Sequence, residues 1–205
     1  MLRLYVARHG QTDWNAKRRL QGATDIPLNE VGLLQARQLA ESLSGLVFDQ
    51  VYCSELQRSR PTALAVAPDE SLIALADLNE QALGSFEGRE LTDAGTLDSF
   101  RRRLRTAGDD LDGGESLAAH HDRVGRALAH IRAKHESGTV LTVGHGGTNA
   151  QLIRAAMKLG ATDELTFWQK NGEVLLLELD GSAPARLWRA VSAADVSREM
   201  APETP

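Results

Sequence analysis

The 205-residue sequence has a single cysteine, Cys53, and no apolar run approaching the roughly 20 residues that a bilayer span requires. One cysteine excludes an internal disulfide and fits a reducing compartment. The opening Met1-Leu2-Arg3-Leu4-Tyr5-Val6-Ala7-Arg8 is too short and too charged to read as a signal peptide. A soluble, cytoplasmic protein is expected. There is no Gly-x-Ser-x-Gly, which argues against a serine hydrolase; Gly84-Ser85-Phe86-Glu87-Gly88 puts its serine in the wrong place. Basic residues are outnumbered, 23 Lys+Arg against 28 Asp+Glu for a net charge of −5, so delocalised nucleic-acid binding is disfavoured while local basic pockets remain open. No repeat, low-complexity tract or linker divides the chain.

What is present is an ordinary globular composition, 42% hydrophobic and 25% charged. A single domain is expected over 1–191, with a frayed tail over 192–205. Leu2 to Ala7 reads as a buried first strand that stops at Arg8-His9-Gly10. Asn29 is placed to cap a helix whose apolar Leu33, Ala36, Leu39, Ala40 and Leu43 recur at helical spacing before Gly45. A second strand is expected over Val47–Cys53, then a helix towards Ala67 with Pro61 in its first turn, since a deeper position would cost about 3 kcal/mol. A short strand follows over Ser71–Leu78. The polar stretch from Gly88 to Glu115 reads as a partly mobile excursion. Order resumes with a helix over Ser116–Lys134, a strand over Thr139–Val143, a helix over Thr148–Lys158, and strands over Val174–Leu179 and Ala185–Val191. Alternating strands and helices point to a three-layer α/β/α sandwich around a mostly parallel central sheet.

Two strands end alike, in Val6-Ala7-Arg8-His9-Gly10 and Thr142-Val143-Gly144-His145-Gly146. Ligands of open α/β sheets bind outside the carboxyl ends of strands, so the two imidazoles are candidates to meet there. Each is followed by glycine, and a helix begins after Gly146-Gly147, where unpaired N–H groups favour an anion. Two histidines, Arg8 and a helix start suit phosphate. A lone histidine would be explained by capping its strand; the matched contexts weaken that explanation. Zinc is the alternative for paired histidines, but no second residue stands at the usual close ligand spacing. His120-His121 with His130 and His135 resembles a metal cluster only superficially, because neighbours on a helix diverge; a solvated helix is the expected setting. Arginines 101, 102, 103 and 105 could grip a second anionic group on a substrate, although a solvated helix face is the simpler reading. Trp14 could pack over the site or fill the core.

The run Arg8-His9-Gly10-Gln11-Thr12-Asp13-Trp14-Asn15 strongly resembles the signature of the histidine phosphatase superfamily, in its phosphoglycerate-mutase-like branch. The resemblance continues in order through Gln21-Gly22, Asp25-Ile26-Pro27-Leu28, Ser54-Glu55-Leu56-Gln57-Arg58-Ser59, Asn79-Glu80, Gly84 to Gly88, Gly114-Glu115-Ser116 and Gly144-His145-Gly146-Gly147. It implies the phosphoglycerate-mutase-like fold, with His9 as the nucleophile that accepts the phosphoryl group, Arg8, Arg58 and His145 holding phosphate oxygens, and Glu80 as proton donor to the leaving group. Asn15, Gln21, Gly22 and the backbone at Gly146 match positions lining the phosphate pocket.

Elementary chemistry asks for the same parts. A phosphate monoester carries about −1.5 to −2 charges at neutral pH, so cations must neutralise its oxygens before a nucleophile approaches. Arginine forks do this in pairs. They should also depress the pKa of His9 and leave its attacking nitrogen bare, with the other ring nitrogen donating to a carbonyl. An alkoxide needs a protonated Glu80 to leave, and the resulting carboxylate can then activate water. No metal or cofactor is required. The resemblance spans phosphatases and mutases; in similar mutases the glutamate is followed by Arg-His-Tyr-Gly, whereas Gln81-Ala82-Leu83-Gly84 stands here, and the chain has little room for their extra insertions. Both departures favour a phosphatase acting on a small phosphorylated metabolite, with phosphoglycerate mutase-type transfer or a non-catalytic phosphate-binding regulator as alternatives. Neither nucleic acid nor membrane is an expected partner, and a homodimer stays open.

Overall fold

A computed structural model describes residues 1–67, 72–190 and 196–199. Its first strand, β1 (Leu2–Arg8), is apolar almost throughout because it lies mid-sheet and is covered on both faces. Alternate residues serve opposite layers. Leu2, Leu4 and Val6 pack with Val124, Leu128 and Ile131 of α5 (Leu117–Lys134) and Leu152, Ile153 and Ala156 of α6 (Gly146–Ala156). Tyr5 and Ala7 face Leu39 of α2 (Glu30–Ser42) and Ala63 of α3 (Arg60–Val66). The three-layer α/β/α sandwich follows directly from that alternation.

The remaining strands are β2 (Gln50–Cys53), β3 (Leu72–Ala74), β4 (Gly138–Gly144), β5 (Val174–Leu179), β6 (Arg186–Ala190) and β7 (Val196–Glu199), in the sheet order β3-β2-β4-β1-β5-β6-β7. Pairing is parallel from β3 to β1 and antiparallel from β1 to β7, so the parallel character is confined to one half. No helix among the described residues is long and apolar enough to cross a membrane.

Several expectations need correction. The strand expected over 47–53 begins only at Gln50, and that expected over 71–78 shortens to Leu72–Ala74 followed by a 3₁₀ turn at Ala76–Leu78; Ser71 lies outside the described residues. The tail expected to be frayed contributes β7, which pairs with β6, while the rest of 192–205 lies outside the described residues, as does Val191. The Gly88–Glu115 excursion contains helix α4 (Ala94–Leu104), capped by the Asp93 carboxylate, which accepts from the Thr96 N–H. Sparse apolar residues hid it, because its partners are remote in sequence: Leu20, Leu83, Phe86 and Leu111 form a small separate core with Phe100 against it. The short helix α1 (Asp13–Ala16) was not foreseen either; Thr12 and Asn15 close a capping box there.

Candidate active site

The register of β1 on β4 creates the site. Arg8 pairs with Gly144, so the next residues of both strands, His9 and His145, leave the sheet side by side, ring centroids 5.0 Å apart. β2 adds a third strand end: Cys53 pairs with Val143, which brings Ser54 beside His145. Glycine is required where β1 ends, because a Cβ on Gly10 would run into the Gly32 carbonyl of α2.

His9 is buried, and its Nδ1 lies 2.6 Å from the Gly10 carbonyl. Only a donor can face a carbonyl, so Nδ1 carries the hydrogen and Nε2 is the bare, nucleophilic nitrogen. Burial above all, reinforced by the charges of Arg58 and Arg8, holds the imidazole well below its ordinary pKa of 6.5, against a smaller opposing pull from the Gly10 carbonyl.

The two arginines differ. Arg58 is fully buried and donates from Nε to His145 Nδ1 (3.1 Å) and from its terminal nitrogens to the carbonyls of Thr24 (2.8 Å) and Gly22 (2.7 Å). A guanidinium has five N–H groups, so Arg58 is locked in place and still has donors to offer. Arg8 donates to the Gln169 carbonyl at 2.7 Å and lies 5.6 Å from the Trp168 ring, while its buried Nε has no protein partner.

His145 is enclosed rather than presented. Its Nδ1 accepts from Arg58, so Nε2 carries the hydrogen and donates to Ser54 Oγ at 2.7 Å. Burial first, then Arg58, His9 and Arg8, keep it well below its ordinary pKa. In this arrangement His145 holds Arg58, and it is absent from the wall of the cavity that opens above His9.

Glu80 corrects one expectation. Its Oε2 accepts from the Gly147 N–H (3.0 Å) and its Oε1 from the Thr148 N–H (2.9 Å) and hydroxyl (3.0 Å), so the start of α6 read as an anion site is occupied by this carboxylate. A Cβ on Gly147 would lie 2.7 Å from Oε1, which explains the glycine. The protonated form that an alkoxide would need to leave is not the form this setting favours. Burial pulls its pKa upward, but His120, the N–H groups of Gly147 and Gln81, and Arg58 outweigh it and bring the pKa below the ordinary value. A carboxylate accepting several N–H bonds is held ionised.

His9, Arg8, Arg58 and Glu80 converge on one cavity of about 480 Å³, which Asn15, Gln21, Gly22 and Gly146 also line. Asn15 Oδ1 accepts from the Thr12 backbone N–H, and Gln21 Oε1 accepts from the Thr12 hydroxyl, so both side chains are fixed by the residue that caps α1. Trp14 lies against Gly88, away from the cavity wall.

Other parts were missed. Arg123 makes a two-pronged ion pair with Glu115, at 2.7 Å and 2.8 Å, and donates to the carbonyls of Asp77 and Asn79, fixing the segment that carries Glu80. Its signal was the Gly114-Glu115-Ser116 motif, which suggested no partner. His120, assigned to a solvated face, is fully buried behind Glu80. His121 instead bonds Gln151, and His135 bonds Tyr52; among the described residues no three potential metal-ligating side chains gather.

Known proteins carry the same arrangement of elements. The chain is 32% identical over 208 aligned positions to the "Probable phosphoglycerate mutase GpmB" of Salmonella choleraesuis (strain SC-B67), covering 98% of this chain and 97% of that protein. Its fold superposes on the alpha-ribazole phosphatase of Shigella flexneri with a TM-score of 0.81 at 27% identity, covering 94% of this chain and 97% of the other. A mycobacterial glucosyl-3-phosphoglycerate phosphatase matches with a TM-score of 0.80 at 27% identity, covering 94% and 100%. A family model for the histidine phosphatase superfamily (branch 1) matches residues 4–190, nearly the whole chain, and the chain belongs to that superfamily.

Proposed function

We propose that this protein is a metal-independent phosphomonoester phosphatase of the cytoplasm that acts on a small phosphorylated metabolite through a phosphohistidine at His9. The observation that carries this reading is the state of His9: neutral, with Nδ1 tied to the Gly10 carbonyl and Nε2 bare, between two arginines, one of which has a buried Nε with no protein partner. A phosphate seated against Arg8 and Arg58 has its oxygens neutralised and its phosphorus presented to Nε2. Nε2 attacks, the ester P–O bond breaks, and the Glu80 carboxyl gives its proton to the leaving oxygen. Water then attacks the phosphohistidine, Glu80 takes a proton from it, and the P–N bond breaks to regenerate His9.

Glu80 starts ionised and must gain its proton once substrate arrives. An incoming dianion offsets the positive field of Arg58 and raises the carboxyl's pKa, as one negative charge does to another. Support for hydrolysis over transfer comes from the two solved phosphatases and from Gln81-Ala82-Leu83-Gly84 after Glu80. The relative named as a mutase keeps phosphoryl transfer between the positions of a phosphoglycerate as the competing reading; interconversion of 3- and 2-phosphoglycerate faster than phosphate release would favour it.

The test is capture of the intermediate. Rapid quenching with a phosphorus-labelled ester should give an acid-labile phosphoprotein, and His9→Ala should lose both that label and turnover. A phosphohistidine that persists in His9→Ala would place the nucleophile elsewhere.

A further inference from the structure

The cavity above His9 changes character with distance from the nucleophile. Beyond the arginines and Glu80 its wall turns apolar, with Leu83, Leu91, Phe100, Leu104, Leu165 and Phe167. Trp168 also lines it and is 65% exposed, an unusual place for so large an apolar surface. Breaking a phosphate ester requires none of this. At about 480 Å³ the space is of the size that takes a complete organic ligand, roughly 300–1,000 Å³, and a three-carbon ester would leave much of it to water.

Helix α4 explains the arginine run. Successive residues turn about 100° around a helix, so the run is split among faces. Phe100 and Leu104, four apart, face the cavity, and beside them so do Arg101 and Arg105. Arg103 points elsewhere: it grips Asp109 (2.6 and 2.8 Å) and Asp112 (2.6 Å) and lies over the Phe86 ring. Arg102 does not line the cavity. The side chains of Arg101 and Arg105 have no hydrogen-bond or ion-pair partner among the described residues. Among the described residues the only carboxylate in the cavity wall is Glu80, already committed to α6.

We propose, building on the phosphatase reading, that the substrate is a phosphomonoester whose alcohol portion is an apolar, ring-bearing body with a second negative charge at its far end. The body lies against Phe100, Leu104, Phe167 and Trp168, and the distal carboxylate or phosphate meets Arg101 and Arg105, whose planar forks suit such groups. These arginines are exposed, so their effect is modest and falls with salt.

Calorimetric binding of phosphonates tests this without turnover. The probes are ω-phenylalkylphosphonates with three to six methylenes and the same series bearing a para-carboxylate. At low ionic strength the best phenylalkyl probe should bind at least about tenfold tighter than methylphosphonate, and its carboxylated partner about fivefold to tenfold tighter again. The double variant R101Q/R105Q should lose the carboxylate's advantage and R102Q should keep it. Equal affinity of the paired probes at every length, or an advantage surviving in R101Q/R105Q, overturns the distal charge; phenylalkyl probes no tighter than methylphosphonate overturn the apolar body. A protein that binds the probes as expected and yet releases phosphate from no ester fails the phosphatase reading alone.

A second, independent observation lies behind Glu80. His120 Nε2 is 3.1 Å from Thr148 Oγ1, which is 3.0 Å from Glu80 Oε1 and 2.8 Å from the Asn79 carbonyl, while His120 Nδ1 is buried without a partner. A bare ring nitrogen tolerates that enclosure better than an N–H would, so the hydrogen belongs on Nε2. We infer that His120 is a positioning residue for the Glu80 proton: it donates to Thr148, whose hydroxyl donates onward to the carboxylate and swings to the Asn79 carbonyl when Glu80 is protonated. The charged groups around the pair are Arg58 and Arg8 towards the cavity, Arg123, Glu115 and His121 on the side of α5, and His145 at the strand ends. In His120→Leu, the titration midpoint of the Glu80 carboxyl, followed by carbon-13 NMR, should move up by about one pH unit, and His120→Gln, which keeps a donor, should restore it. Nitrogen-15 NMR of the unaltered protein should show the Nε2–H tautomer of His120. An unmoved midpoint in folded His120→Leu, or the Nδ1–H tautomer, overturns the inference.

Discussion

The floor of the cavity and its outer wall are built on different terms. On the floor, nearly every polar atom is held by another: Arg58 by three partners, His145 by two, Glu80 by the start of α6. His145 directly follows a strand, and Arg58 and Glu80 come from the segments that leave β2 and β3. The wall comes from α4 and the stretch after α6, and its side chains at Arg101 and Arg105 reach solvent with no partner among the described residues. The floor is thus preorganised, which is what the proposed phosphoryl chemistry needs, while the proposed choice of alcohol falls to a segment that can change without disturbing the sheet.

That contrast is broken most directly at Glu80. Glu80→Gln keeps the side chain's size and removes the acid, and should slow phosphorylation of His9 by an alkyl phosphate roughly 10²- to 10⁴-fold in single-turnover experiments, with much less loss for nitrophenyl phosphate, whose leaving group needs no proton. Equal losses would assign Glu80 to positioning. Arg58→Ala should cost about 3 kcal/mol of transition-state stabilisation, appearing mainly in kcat. It should also lower thermal stability, because the buried carbonyls of Gly22 and Thr24 lose their donor. Unchanged kcat with a raised KM would show that Arg58 binds only the ground state.

Acid should separate the regions too. His9, His120 and His145 have folded pKa values below 6.5, with His120 pushed down to about 4, chiefly by burial. On acidification the unfolded chain takes up protons that the folded floor refuses, so stability is complete above about pH 6.5 and falls as pH drops towards 4. Glu80, with a depressed pKa, loses its contribution further down in the same direction. On α4, turned away from the cavity, Arg103 holds the Asp109 carboxyl down to about 2, so that ion pair persists throughout the range. A thermal midpoint that does not fall between pH 7.5 and 5.0 would contradict the buried neutral histidines. The smallest expected effect is none: after dialysis against a strong chelator activity should be complete, since arginines supply the charge a metal would bring. Activity lost and then restored by zinc or magnesium would overturn that.

What the residues alone determined was the part written locally. Apolar β1, the Asn29 cap of α2 and the paired strand endings are short-range patterns, and the ordered motifs from Arg8 to Gly147 marked His9, Arg58, Glu80 and His145. What only the tertiary structure decided depended on partners far apart in the chain. The β1–β4 register set His9 against His145 across 136 positions of sequence. Capping of α6 by Glu80 helped lower the pKa of that carboxyl, and packing on Leu20, Leu83 and Leu111 made a helix within the polar 88–115 stretch and turned Arg101 and Arg105 towards the cavity. A side chain's protonation and facing depend on what packs against it, and for these residues that neighbour comes from another element of the fold.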